Sequence, residues 1–184
     1  MSKVAYRVVF LGAVIALLGV ASFAVAGGGS KNFEGSPLNG YEENPDVSSV
    51  GSGEFEARLD KDGESIEYEL SYSNVESTVT QAHIHFGKRA VNGGISMFLC
   101  SNLGNGPAGT QACPQSGTIT GTLDASDVIG PSAQGILAGE FDEILAAMRA
   151  GHAYANVHST TFPGGEIRAQ INDHGDNRGR DDDD

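Results

Sequence analysis

Phe55-Glu56-Ala57-Arg58-Leu59, then Asp60-Lys61-Asp62-Gly63, then Ile66-Glu67-Tyr68-Glu69-Leu70-Ser71-Tyr72 is the stretch that decides the fold class. In both flanking runs every second residue is apolar and those between are charged or polar. This is the period of a strand with one face on a core and one in water. Asp60 to Gly63 supplies turn chemistry. The stretch predicts an antiparallel hairpin.

Working outward, further strands are predicted over Val79 to Phe86, Ile95 to Leu99, Thr118 to Leu123, His152 to His158 and Glu166 to Ile171. The exception runs from Phe141 to Ala150, where Phe141, Ile144, Leu145 and Met148 recur at helical spacing and Gly151 stands as a stop. Many short strands with one short helix point to an all-β protein, an antiparallel Greek-key β-sandwich of superoxide-dismutase-like or immunoglobulin-like form. A closed barrel is the alternative. No internal repeat is visible, which sets aside solenoids and propellers.

At the N-terminus, Lys3 and Arg7 precede an apolar run from Val8 to Val20, and Ala24-Val25-Ala26 has the small-x-small form of a signal-peptidase site. Residues 1–26 are therefore expected to be a cleaved signal peptide. The alternative is an uncleaved anchor, because with Ala21 to Ala26 the apolar stretch is nearly long enough to span a bilayer, though Ser22 interrupts it. Residues 27–31 form a flexible lead-in, 32–172 one domain, and 173–184 an acidic tail expected to be disordered. Removing Lys3 and Arg7 from the 11 basic residues leaves 9 against 24 acidic ones, a net charge of about −15. Such a chain repels nucleic acid and anionic lipid. After export Cys100 and Cys113, around a Gly-rich stretch, are expected to pair. Their spacing is wrong for a redox Cys-x-x-Cys.

Strand alternation also locates a candidate site. Between Val79 and Phe86 the apolar set Ala82, Ile84 and Phe86 takes the core side, so His83 and His85 share the other, roughly 7 Å apart by the two-residue rise. Ala153, Ala155 and Val157 turn inward in the next histidine-bearing strand, leaving Tyr154, Asn156 and His158 outward. Ile167, Ala169 and Ile171 leave Glu166, Arg168 and Gln170 on that same outer side. The short link from Ser159 to Gly165 would set His158 beside Glu166 across a hairpin. His83, His85, His158 and Glu166 then form a set suited to zinc, copper or non-haem iron. The alternative is a solvated sheet face whose histidines bond Tyr154, Asn156 or Gln170. His152, beside the helix stop, and His174, in the polar tail, are left out. Glu42 and Glu43 read as turn solvation, and Ser159 cannot pair with His158 because strand neighbours face opposite ways.

Four motifs in order carry a family likeness: Leu38-Asn39-Gly40-Tyr41-Glu42-Glu43-Asn44-Pro45, Gln81-Ala82-His83-Ile84-His85-Phe86-Gly87, Tyr154-Ala155-Asn156-Val157-His158-Ser159, and Phe162 to Ile171. Together they resemble the CHRD domain, named after the animal protein chordin and widespread in secreted microbial proteins. The likeness spans Lys31 to Asn172. It implies an extracellular binding or structural module of unknown protein or surface ligand, without growth-factor binding, which belongs mainly to other modules of chordin. A second, local resemblance is to Cu/Zn superoxide dismutase, whose copper strand has a His-Val-His form followed by Phe-Gly. On that resemblance His83, His85 and His158 would hold copper and Arg168 would be the active-site arginine that guides an anion. No histidine occurs between Phe86 and Gly151, so the bridging ligand and the zinc loop of that enzyme are missing. The expectation is thus a non-enzymatic exported module whose His face is either structural or holds copper or zinc, the alternative being a copper redox enzyme.

Overall fold

The computed structural model describes residues 31–173. The expected signal peptide, most of the lead-in and the acidic tail beyond Asp173 lie outside the described residues. Eight strands and one α-helix follow in the order β1 (Asn32–Leu38), β2 (Ser52–Leu59), β3 (Ser65–Ser73), β4 (Val79–Phe86), β5 (Gly94–Ser101), β6 (Gly117–Asp124), α1 (Phe141–Arg149), β7 (Ala153–Ser159) and β8 (Ile167–Asp173). The all-β class with one short helix is what the sequence implies.

The quoted hairpin is β2–β3, in unbroken register from Ser52 opposite Ser73 to Leu59 opposite Ile66. Its turn is fixed by Asp60, whose Oδ1 accepts from the N–H groups of Gly63 at 2.6 Å and Glu64 at 2.9 Å. Phe55, Ala57 and Leu59 are buried while Glu54, Glu56 and Arg58 are exposed. Strand β1 was not expected from the sequence. Gly35 and Pro37 break its alternation, and its pairing with β2 shifts register between Gly35 and Leu38.

The eight strands form one antiparallel sheet in the order β5-β4-β7-β8-β1-β2-β3-β6. The sandwich is thus a single sheet folded over, its halves joined where Phe33 and Glu34 of β1 meet Asp173 and Asn172 of β8. Inward side chains of both halves, among them Phe33, Phe55, Leu70, Ile84, Met97, Leu99 and Val157, make one apolar core. Tyr68 on β3 crosses it, its hydroxyl donating to the Leu99 carbonyl at 2.7 Å.

The outer strands β5 and β6 would leave unpaired backbone groups, a hazard of open sheets. Gln111 spans them: its carbonyl accepts from the Ser101 N–H at 2.8 Å and its side chain donates to the Thr120 carbonyl at 3.0 Å. The expected disulfide, Cys100 to Cys113, staples this bridging segment to β5. The sheet is therefore nearly closed. Helix α1 buries Phe141, Ile144, Leu145, Ala147 and Met148 and packs against β7 and β8.

On β4, β7 and β8 the alternation of wet and dry faces disappears. All seven residues of β7 are buried, as are His83 and His85 of β4 and Ile167 to Ile171 of β8. The solvated sheet face that the sequence offered as an alternative is not present. A second, polar layer is sealed there beneath the segments at 40–44 and 87–93.

Candidate metal centre

The site is built on the outer side of β4, β7 and β8. Opposite pairs are Gln81 with His158, His83 with Asn156 and His85 with Tyr154. His83 therefore meets His158 on the diagonal, within reach for ring side chains. Ring centroids lie 5.3 Å apart for His83–His85, 4.9 Å for His83–His158 and 5.7 Å for His85–His158. One nitrogen from each ring falls within 4.8 Å of the others. Ligands of one ion at ~2 Å stand ~3.3–4 Å apart, so closing the widest pair takes a shift of ~0.8–1.5 Å shared between two rings.

The partners assign the tautomers. Nδ1 of His85 lies 3.0 Å from the Gly93 carbonyl and Nδ1 of His158 lies 3.1 Å from the Pro163 carbonyl. A carbonyl only accepts, so each Nδ1 carries the hydrogen and each Nε2 presents a lone pair. His83 Nδ1 approaches His158 Nε2 at 3.1 Å and so donates to it. The buried Nε2 atoms of His83 and His85 have no hydrogen-bond partner. Buried imidazole nitrogens are normally satisfied. Three neutral rings with nitrogens this close, two of them steadied through Nδ1 by a carbonyl and the third through Nδ1 by His158, fit a borderline-soft metal ion such as copper or zinc.

The electrostatics agree. His83, His85 and His158 are 0 %, 6 % and 4 % exposed. Burial is the main cause that pulls His83 down to about 2 and His85 and His158 down to about 4; the other imidazoles add to it at His83, and His158 does so at His85. All three are neutral at ordinary pH, the form that ligates. The rings of Phe98 and His83 meet nearly at right angles, with centroids 4.4 Å apart.

Glu166, expected as a fourth ligand, is not brought to the trio. Its Oε1 accepts from Ser49 Oγ at 2.7 Å and from the Glu76 N–H at 2.7 Å, and its Oε2 accepts from Ser159 Oγ at 2.5 Å. Ser159 faces away from His158, so this carboxylate belongs to the opposite side of the sheet. The cause is local. Gly165 has φ 132°, and the Glu166 N–H bonds the carbonyl of Val157, the residue that Ile167 already opposes. One residue out of register turns a side chain to the other face.

Arg168 does lie on the histidine side, but 2 % exposed. Its guanidinium sits 4.4 Å over the Tyr154 ring, which in turn stacks on His85 with centroids 4.8 Å apart and planes 5° from parallel. Nη1 donates to the Val91 carbonyl at 3.2 Å and to Asn92 Oδ1 at 3.4 Å. Arg168 thereby anchors the segment that presents the Gly93 carbonyl to His85. Gly93 itself admits no side chain, since a Cβ there would fall 1.8 Å from the Phe86 carbonyl oxygen.

Glu43, which the sequence presents as turn solvation, is buried instead. Asn39 Oδ1 caps the short turn at Gly40–Glu42, and Asn39 exchanges backbone hydrogen bonds with Arg168. This carries Glu43 inward, where its Oε1 accepts from Asn156 Nδ2 at 2.5 Å. Burial raises its pKa to about 7 against the lowering pull of Asn156 and Arg168. Its only signal was its place in the Leu38 to Pro45 motif. Glu42 stays outside and pairs with Arg89, which with the Asn92 Nδ2 bond to the Asn44 carbonyl at 2.8 Å ties the two covering segments together.

Fold and site thus define a small antiparallel β-protein with a buried, three-histidine polar layer on the outside of its sheet. The family model of the CHRD domain matches residues 35–171, and the chain belongs to that family. No curated protein and no solved structure matches it. Among the described residues no helix is long and apolar enough to cross a membrane.

Proposed function

We propose that this CHRD domain works outside the cell as a binding or structural module whose polar layer is completed by one copper or zinc ion on His83, His85 and His158. The observation that carries the reading is the closeness of three buried imidazoles: one nitrogen from each lies within 4.8 Å of the others, and the carbonyls of Gly93 and Pro163 hold the hydrogens of His85 and His158 on Nδ1, so that Nε2 of each keeps its lone pair. An ion held by three strand residues would tie β4 to β7 and fix the covering segment at Gly93. The disulfide and the strongly acidic composition suit an oxidising, extracellular setting.

The copper redox alternative would need Arg168 to meet an incoming anion. Its burial and its bonds to Val91 and Asn92 favour a positioning role instead. Metal analysis of the purified protein, with a His83→Ala/His85→Ala variant as control, tests the proposal. Stoichiometric copper or zinc that is lost in the variant supports it. No bound metal at neutral pH after incubation with either ion sinks it.

A further inference from the structure

The donor set carries information about which ion the site prefers, and this step rests on the metal-site reading above. All three donors are neutral imidazoles, and among the described residues no further His, Cys, Asp or Glu joins them. The carboxylate that the sequence offered, Glu166, is engaged on the other side by Ser49, Ser159 and the Glu76 N–H. A fixed charge that does approach the layer is positive: the Arg168 guanidinium, separated from His85 by the Tyr154 ring.

An ion among groups that are 0 %, 6 % and 4 % exposed loses its water. The cost of that loss scales with the square of the charge, so a dication forfeits about four times what a monocation does. No carboxylate among the donors offsets it, and Glu43, also buried in the layer, is held by Asn156. Zn(II) also seeks a fourth ligand and Cu(II) a tetragonal set, whereas monovalent copper accepts low coordination by nitrogen. We infer that the trio of His83, His85 and His158 is a monovalent-copper site, which holds Cu(I) in preference to Cu(II) and Zn(II).

The test is a set of parallel titrations of the purified full chain. Cu(I) is added anaerobically in competition with a chromophoric Cu(I) chelator, and Cu(II) and Zn(II) are added separately against metallochromic dyes, with electron paramagnetic resonance following Cu(II). The expected result is one equivalent of Cu(I), bound at least ~100-fold more tightly than either dication. Copper loaded as Cu(I) is expected to stay silent in resonance in air. A His85→Phe variant, which keeps a ring against Tyr154, is expected to lose the Cu(I) site. Cu(II) or Zn(II) bound to these histidines as tightly as Cu(I) would overturn the preference and leave the metal site standing. Binding of none of the three ions removes both readings. Should the variant fail to fold, the ratio of affinities in the unmodified protein still decides.

Discussion

His83 and His158 stand 75 positions apart in the chain and meet ring nitrogen to ring nitrogen at 3.1 Å. Two neutral imidazoles in that contact share one hydrogen, so an ion that takes the lone pair of His158 Nε2 displaces this bond, with the His83 ring turned or its hydrogen moved to Nε2. Binding to the folded state alone stabilises it by mass action, ~2.7 kcal/mol at a hundredfold excess over Kd. For a domain of this size that corresponds to a rise in Tm of roughly 5–10 °C. Calorimetry of the metal-stripped protein with and without added copper or zinc measures it. His158→Ala should abolish the rise, and an equal rise in that variant would place the ion elsewhere.

The metal-free protein is expected to lose stability on acidification. His83, His85 and His158 are lowered from 6.5 to about 2, 4 and 4. As pH falls from 6.5 toward 4 the unfolded chain takes up protons that the folded one refuses, so stability drops on the order of 1 kcal/mol per pH unit for each histidine. Glu43 acts the other way. Raised from 4.5 to about 7, it binds in the folded state a proton that the unfolded chain releases, and so favours folding as pH falls through that window. Three groups oppose one, and the net direction is loss. Urea midpoints taken with chelator at about pH 7.5 and about pH 5 check this; an equal or higher midpoint in acid would contradict it.

Glu166→Gln separates a ligand from a buried brace. The carboxylate accepts three hydrogen bonds, from Ser49, Ser159 and the Glu76 N–H. A carboxamide keeps one good acceptor and brings donors where donors already stand, at a cost of ~2–4 kcal/mol. Unfolding by denaturant should show that loss while the stoichiometry of bound metal stays unchanged. Loss of metal with little change in stability would return Glu166 to the ligand set.

The legibility of the chain follows from where its information is local. β2 and β3 could be read because alternation and turn residues both lie within one stretch from Ser52 to Ser73. β1 could not, because Gly35 and Pro37 interrupt its period and its place is set by partners at Ala57 and Asn172. The common face of His83, His85, His158 and Arg168 was legible from phase alone. Its burial was not, since the cover comes from Glu43, Val91 and Gly93, far away in sequence and without periodicity. Glu166 broke the phase rule through one irregular residue, Gly165, which no alternation pattern registers. There a Cβ would lie 2.7 Å from both Asn156 Oδ1 and Glu43 Oε1, which is why glycine stands at that point.

Tyr154 is the residue through which the covering segment and the trio communicate. Its hydroxyl accepts from the Gly93 N–H at 3.1 Å, and the Gly93 carbonyl accepts from His85 Nδ1 at 3.0 Å. Tyr154→Phe keeps the ring between His85 and Arg168 but frees Gly93 from that bond. The His85 ring then loses part of what fixes its orientation and its tautomer, and groups in such a supporting position are worth roughly 10–100-fold in metal affinity. Metal titration of the variant should give a Kd raised by about tenfold or more with the stoichiometry kept at one. The stability of the metal-free form should change by only ~1 kcal/mol, the worth of one hydrogen bond. An unchanged Kd would mean that Asn92 and Arg168 hold the segment without help, and that the path from Tyr154 through Gly93 to His85 carries no weight.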